Sequence, residues 1–330
     1  MSHACKICQN AENNQLHAAC EMLLGTRERF TYLECGGCGC VQLLEIPADM
    51  GKYYPKDYYS FQEHGVLKTL VRRQWSSYAY GRRNILGWLI STVFFHNVAI
   101  EAVRYSGVTK DARILDVGCG SGRVLLDLSH LGFRDLTGAD PYIQRDIVHE
   151  NGVKIFKREL SDLAGEFDLI TLHYTFEHMD RPAEVMRHLQ RLLSPQGVVM
   201  LSIPIASSYA WRRFGVNWFN LDAPRHLYIH TYRSIDLLAQ NAGLKVADTV
   251  QEGDGRMFWL SEEYERGISQ NDPRALGMHP LRWLLASKKM RTLSMKAKEL
   301  NRKGEGDVVR FYLRNRNTPR LGEPASAASG

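Results

Sequence analysis

Two groups of residues in this 330-residue sequence have the types and spacing that chemistry requires. The first lies in ILDVGCGSGRVLLDL, residues 114–128, where Gly118, Gly120 and Gly122 alternate between a strand-like and a helix-like segment. Glycines there permit positive φ and let the backbone approach a ligand closely. The helix that follows offers unpaired N–H groups and the positive end of its dipole. The loop therefore reads as a cradle for a nucleotide-like cofactor. Its G-x-G-x-G spacing, with Arg123 where a dinucleotide fingerprint wants glycine, is not that of a nicotinamide dinucleotide site, and no G-x-x-x-x-G-K-[ST] phosphate loop occurs. Asp116 stands just before the loop. Asp140, in TGADP, ends the next strand-like run, where a carboxylate can accept hydrogen bonds from a ribose diol.

The second group is sulfur. Cys5-x-x-Cys8 and Cys35-x-x-Cys38 are two C-x-x-C pairs separated by 26 residues. Glycines beside Cys35 and Cys38 free backbone N–H groups to bond thiolates, and four thiolates make a closed tetrahedral site. We expect structural zinc on Cys5, Cys8, Cys35 and Cys38. Two disulfides are the competing arrangement, and Cys20 and Cys40 are possible substitute ligands. Cys119, inside the glycine loop, reads as a small packing residue.

The elements that must position these residues follow from periodicity. From Ala112 onward, short apolar runs alternate with helical patterns: ARILDV, DLTGAD, VKIFK, FDLITLHY, GVVMLSIPI, LKVADTV and GDVVRFYLR are strand-like. Between them, SGRVLLDLSHLG, DRPAEVMRHLQRLLSPQG and TYRSIDLLAQNAG are helical, with Gly132, Pro195 and Gly243 as stop signals. This βαβα order predicts an α/β, Rossmann-like, mostly parallel seven-stranded sheet covered by helices on both faces. The expected organisation is a zinc-binding module at 1–60, a helical connector at 61–110, the main domain at 111–317 with a helical insertion at 253–305, and a disordered tail at 318–330.

In that order, Asp116-Val-Gly118-Cys-Gly120-Ser-Gly122, Ala139-Asp140-Pro141 and Phe167-Asp168-Leu-Ile ahead of Glu177-His178 resemble the successive motifs of class I S-adenosylmethionine-dependent methyltransferases. The resemblance covers about residues 110–255 and the last strand. It implies a last strand running antiparallel and an enzyme that binds S-adenosylmethionine. It places Gly118, Gly120, Gly122 and Asp116 by the methionine part, Asp140 on the ribose, and the Glu159–Asp162 stretch, with Leu160, along the adenine.

Methyl transfer needs an acceptor held in line with the methyl group and, for a hydroxyl, a group that removes the proton. His226 in DAPRHL is the first candidate for that base, and His178 and Glu177 follow. Each histidine has a structural alternative: His226 bound to a backbone carbonyl, His178 organising its loop. His173 faces either core or pocket, and Arg225 pairs with an anionic substrate group or with Asp222. The aromatics of WRRFGVNWFN, residues 211–220, suit a sugar ring or form a packed lid.

The zinc knuckle ahead of such a domain resembles that of bacterial deoxysugar C-methyltransferases in surface-polysaccharide biosynthesis. The expectation is methyl transfer to a sugar, free, nucleotide-linked or lipid-linked, more readily at oxygen than carbon, because this chain is short for the further C-terminal domain of the C-methyltransferases. Competing readings are another small-molecule hydroxyl or carbon acid, an RNA methyltransferase, and a non-catalytic module of the same fold.

Charge bears on the partners. Residues 281–320 hold 12 Lys/Arg against 3 Asp/Glu, whereas the rest hold 30 against 33. The basic insertion at 281–303 could meet a diphosphate or an acidic membrane surface; otherwise it is a solvated helix face. No known RNA-binding module accompanies it, and nucleic acid is not the expected partner. The start MSHACKICQN lacks signal-peptide features, and ILGWLISTVFFHNVAI, residues 85–100, is too short and too interrupted to span a bilayer. The expected location is the cytoplasm, with free thiols. The sequence leaves the oligomeric state open.

Overall fold

The computed structural model describes residues 3–54, 66–93, 98–278 and 287–318. The remainder, including Pro55–Tyr59 of the tyrosine-rich run, residues 281–286 of the basic insertion and nearly all of the expected tail, lies outside the described residues.

The strands are β1 (Gln15–Cys20), β2 (Arg29–Glu34), β3 (Val41–Leu43), β4 (Arg113–Val117), β5 (Asp135–Ala139), β6 (Ile147–Val148), β7 (Lys154–Phe156), β8 (Phe167–His173), β9 (Leu193–Pro204), β10 (Tyr228–Ile229), β11 (Leu244–Gln251) and β12 (Val308–Asn315). The helices are α1 (Val66–Ala79), α2 (Ile85–Val93), α3 (Val98–Ser106), α4 (Arg123–Leu131), α5 (Pro182–Leu192), α6 (Tyr209–Phe214), α7 (Tyr232–Asn241), α8 (Arg256–Glu265) and α9 (Ser287–Arg302).

The main sheet has the order β11-β12-β9-β8-β4-β5-β7-β6. β7, β5, β4, β8 and β9 run parallel, and β12 enters antiparallel between β9 and β11. This is the Rossmann-like sheet expected from the alternation. It gains an eighth strand, because two-residue β6 folds back antiparallel on β7 at the sheet edge. Ile114, Leu115, Leu169, Ile170, Val199 and Leu201 are fully buried, as strands covered on both faces must be. α4 begins directly at Gly122 and stops at Gly132, which takes φ 98°. α7 opens with a capping box between Thr231 and Ser234.

The N-terminal residues do not stand apart. β1, β2 and β3 form an antiparallel sheet whose fourth strand, β10, comes from the far side of the chain: Tyr228 and Ile229 pair with Gln42 and Val41. A single apolar cluster unites Cys5, Tyr32, Cys38 and Val41 with Trp211, Phe214, Trp218, Met257 and Phe258.

That packing corrects one expectation. Trp211, Phe214 and Trp218 are 6%, 6% and 1% exposed, so they offer no face to a sugar ring. Trp218 donates its indole N–H to Asp307, and Asn220 donates to the same carboxylate. These aromatics are the joint between the small sheet and the main domain. In the basic insertion, Lys289 pairs with Glu262, Lys303 pairs with Glu299, and Lys296 lies over the Phe258 ring. Lys288, Arg291, Lys298 and Arg302 are exposed on α9. Among the described residues no helix is long and apolar enough to cross a membrane.

Candidate functional site

In a parallel sheet the loops after successive strands open at one edge, and ligands gather there. The loop after β4 carries the three glycines, and each takes a left-handed conformation: φ is 72° at Gly118, 55° at Gly120 and 77° at Gly122. Two of them are also needed for space. A Cβ on Gly118 would stand 2.4 Å from Thr175 Cγ2, and one on Gly122 would stand 2.2 Å from Ile155 Cδ1. The first contact matters for function, because Thr175 opens the turn after β8 that carries Glu177 and His178. The cradle and that turn are therefore in direct contact.

Asp140 closes the cradle. Its Oδ2 accepts from the Gly120 N–H at 2.9 Å, and its Oδ1 accepts from the Tyr142 N–H at 2.9 Å. Each oxygen keeps a second lone pair, so a ribose diol can still be gripped. Asp116 is buried and accepts the Thr171 hydroxyl at 2.7 Å. Burial outweighs that hydrogen bond and pushes its carboxyl up to about 7. Leu160 lies on a short turn, Leu160–Asp162, with its side chain in the main core. Burial pushes the Cys119 thiol well above its ordinary value, which suits a packing role.

Glu177, His178 and His226 come together beside the turn after β8. One ligand atom from each lies within 4.8 Å of the others. The His226 and His178 rings meet edge to face at 4.7 Å, and His226 Nε2 is 4.0 Å from Glu177 Oε1. His226 Nδ1 donates to the Asn220 carbonyl at 2.7 Å, and His178 Nδ1 donates to the Arg225 carbonyl at 2.9 Å, with the Tyr54 hydroxyl 3.2 Å from the same nitrogen. These bonds fix both tautomers and leave each Nε2 with a free lone pair. The two histidines thus meet the backbone carbonyls of the structural alternative and still present an unprotonated nitrogen. Burial, helped by neighbouring His178, pushes His226 down to about 3, so it is neutral at pH 7. Burial raises Glu177 to about 8. Both Glu177 oxygens are buried without a hydrogen-bond partner. His173 is half-buried, with its Nε2 enclosed and without a partner, and desolvation takes it to about 3.

Arg225 is fully buried and pairs with Asp222 at 2.6 Å and with Glu21 at 3.2 Å, while also donating to the Tyr53 carbonyl. That arrangement decides between the two partners weighed for it. Its guanidinium holds the DAPRHL loop, and Asp222, which burial alone would raise, stays below the usual carboxylate range. Tyr32 donates its hydroxyl to the His226 carbonyl at 2.9 Å, and Thr231 donates to the Cys38 carbonyl at 2.6 Å. Glu21 and Tyr32 were not visible as site residues in the sequence, since their partners lie far away along the chain, and Asn220 acts on His226 through its main-chain carbonyl, which leaves no side-chain signal.

Cys5, Cys8, Cys35 and Cys38 bring their sulfurs within 4.8 Å of one another, and all are free thiols. Cys5 and Cys38 are 3.6 Å apart, and Cys8 and Cys35 are 3.5 Å apart. Four sulfurs about 2.3 Å from one ion stand roughly 3.8 Å from each other, so the set fits a tetrahedral metal. Backbone N–H groups of Ile7, Gly37 and Cys38 already point at the sulfurs. Cys20 and Cys40 are not members of this cluster.

Comparison with known proteins gives this edge of the sheet its context. Residues 98–249 match the family model Methyltransf_23, a methyltransferase domain. The mitochondrial ubiquinone biosynthesis O-methyltransferase of Saccharomyces cerevisiae is 29% identical over 113 residues, 31% of this chain and 36% of that one. The ubiquinone biosynthesis O-methyltransferase of Nitrosococcus oceani is 34% identical over 113 residues, 31% and 48% of the two chains. That of Xanthomonas euvesicatoria is 31% identical over 153 residues, 42% and 64%. The chain thus spans about a third to two thirds of the length of these curated relatives. Among solved structures, the cyclopropane synthase MmaA2 from Mycobacterium tuberculosis aligns at 16% identity and TM-score 0.42, over 66% of this chain and 82% of that one.

Proposed function

From the class I S-adenosylmethionine-dependent methyltransferase domain that this chain carries, we propose that the whole protein transfers a methyl group to a hydroxyl of a small molecule. The observation that carries the reading is the contact between Gly118 and Thr175, which sets a cofactor cradle against a cluster of two neutral histidines and a glutamate. Bound S-adenosylmethionine supplies a methyl on a sulfonium, so the acceptor oxygen forms the new C–O bond as the C–S bond breaks onto sulfur. Gly118, Gly120 and Gly122 bring bare backbone to its methionine part, Asp116 faces that part, Asp140 holds the ribose, and the Leu160 turn borders the adenine. His226 Nε2 accepts the hydroxyl proton while Asn220 holds the ring in the required tautomer. Such a base contributes about 10²–10⁴-fold, and in-line positioning about 7–11 kcal/mol. The burial of Trp211, Phe214 and Trp218 weakens one of the two features that favoured a sugar, and the O-methyltransferase relatives favour another hydroxyl acceptor.

In the same reading Cys5, Cys8, Cys35 and Cys38 hold zinc in a closed structural site, and the exposed cations of α9 face an anionic part of the acceptor or an acidic surface. The test is a methyl-labelling screen of the purified protein against small hydroxyl acceptors, nucleotide sugars and RNA, alongside calorimetry with S-adenosylhomocysteine. His226→Gln should cut turnover at least a hundredfold and leave S-adenosylhomocysteine binding intact. Near-normal turnover would remove His226 as the base. Silence in calorimetry, unchanged in Asp140→Ala, would remove the cofactor assignment.

A further inference from the structure

The cluster of Glu177, His178 and His226 holds a buried, unpartnered carboxyl that proton transfer by His226 leaves without a role. Arg225 is already engaged by two carboxylates, Glu21 and Asp222. Glu177 adds a third carboxyl beside Asp222 and His226; it is 0% exposed, and neither oxygen has a hydrogen-bond partner. A fully buried carboxyl with neither oxygen hydrogen-bonded is a costly arrangement, and a bound cation would relieve it.

The histidines are held as metal ligands usually are. A ligating imidazole gives its other N–H to a carbonyl or carboxylate, which sets the tautomer and aims the free nitrogen. His226 and His178 each do this with a main-chain carbonyl, of Asn220 and Arg225, at 2.7 and 2.9 Å. His178 is only half-buried, so the cluster is not sealed from solvent. Around an ion with bonds of about 2.0–2.2 Å, neighbouring ligand atoms stand roughly 3–3.5 Å apart. The pair His226 Nε2 and Glu177 Oε1, now at 4.0 Å, needs a contraction of about 1 Å or less by that spacing. Rotation of the unbonded Glu177 carboxylate can supply it.

We propose that Glu177, His178 and His226 form a second metal site, which takes a divalent transition-metal cation and leaves positions open for the acceptor. Two imidazoles and one carboxylate suit Fe²⁺, Co²⁺, Zn²⁺ or Mn²⁺ better than Ca²⁺. The inference rests on the methyl-transfer reading and deepens it. With the ion bound, the acceptor hydroxyl becomes a ligand, its proton leaves to solvent, and the oxygen attacks the methyl carbon as an anion. The electron pair of the breaking C–S bond stays on sulfur. His226 Nε2 then serves as a ligand and accepts the proton only in the ion-free pocket.

The experiment is a Co²⁺ titration of the full chain, followed by absorption. A thiolate site gives intense sulfur-to-metal charge-transfer bands, whereas a nitrogen and oxygen site gives only weak visible bands. The expected result is one saturable equivalent of the second kind, whether or not the cysteine cluster is already filled. Glu177→Gln and His226→Gln should each weaken it at least tenfold, the usual scale of lost metal affinity, with bands of the first kind unchanged as the check on folding. A wild-type protein showing only sulfur-type bands, or variants that bind the second equivalent as tightly as wild type, would overturn the site. Either result leaves methyl transfer standing if S-adenosylhomocysteine still binds. Failure of S-adenosylhomocysteine to bind removes methyl transfer and leaves the Co²⁺ measurement to decide the metal site.

Discussion

Asp116 is a carboxyl taken out of water, with one hydroxyl for a partner, and it sits near pH 7 because burial penalises its charge. A ligand that brings an ammonium beside it favours the ionised form, so binding and deprotonation are coupled. The folded value lies above the unfolded one of 3.8. Its contribution to folding is therefore fully present below about pH 4 and is lost as pH rises to about 7, whereas ligand affinity must move the other way. S-adenosylhomocysteine affinity should fall about tenfold per unit below pH 7, with proton release on binding, and level off above. Calorimetry from pH 5.5 to 8 in buffers of different ionisation heat measures both, and Asp116→Asn should flatten the profile. An affinity independent of pH in the wild type would refute the coupling. At this scale the glycine loop was legible in the sequence, because Gly118, Gly120, Gly122, Asp116 and Asp140 lie in short segments whose spacing announces a tight turn from strand to helix with a carboxylate closing it. Glu21 was not. It sits in CEMLLG like any surface glutamate, and what buries it is Arg225, 204 residues away.

Elements decide how the cluster of Glu177, His178 and His226 is held. The DAPRHL loop feeds β10, and β10 is an edge of the small N-terminal sheet, so the loop with His226 is clamped between two sheets. Neither β6 nor β10 was visible beforehand: a two-residue strand has no periodicity to read, and its pairing is set by a partner elsewhere. The longer strands were legible because burial on both faces turns them into short apolar runs bounded by turn residues. The six-residue helix α6 shows the reverse failure. Aromatic composition cannot say which way Trp211 and Phe214 point, and β1 covers the side that would have met a substrate, with His17 against the Trp211 ring. The clamp makes Arg225 a positioning residue. Arg225→Met would leave Glu21 and Asp222 buried without a cation, a loss of about 3–5 kcal/mol for a broken buried pair. Turnover should fall through kcat, because the cradle after β4 does not touch Arg225. S-adenosylhomocysteine affinity measured alongside separates this from general unfolding: equal losses in kcat and affinity would argue against a local clamp.

For the whole molecule, the question is whether the cysteine cluster belongs to a detachable module. The packing says it does not. Cys5, Cys38 and Cys40 share one apolar cluster with Trp218, Met257 and Leu300, and Thr231, the cap of α7, donates to the Cys38 carbonyl. A knuckle that lost its metal would release β3, and with β3 would go the pairing to β10 and the Tyr32 hydrogen bond to the His226 carbonyl. The main sheet from β4 to β9 makes none of these contacts. Replacing Cys5 and Cys8 by Ser should therefore remove bound zinc, lower the melting temperature and abolish methyl transfer, while the cradle keeps its grip on S-adenosylhomocysteine. Structural zinc supplies about 10–16 kcal/mol in small peptides. Even a fraction of that, at about 2–4 °C per kcal/mol for domains of this size class, makes the shift easy to resolve. Trp211 and Trp218, buried at the joint, supply a second signal, since their fluorescence should move to the red as the joint opens. Two separate melting transitions, the later one unchanged by the double substitution, would mean that the cysteine cluster folds alone and supports nothing around His226.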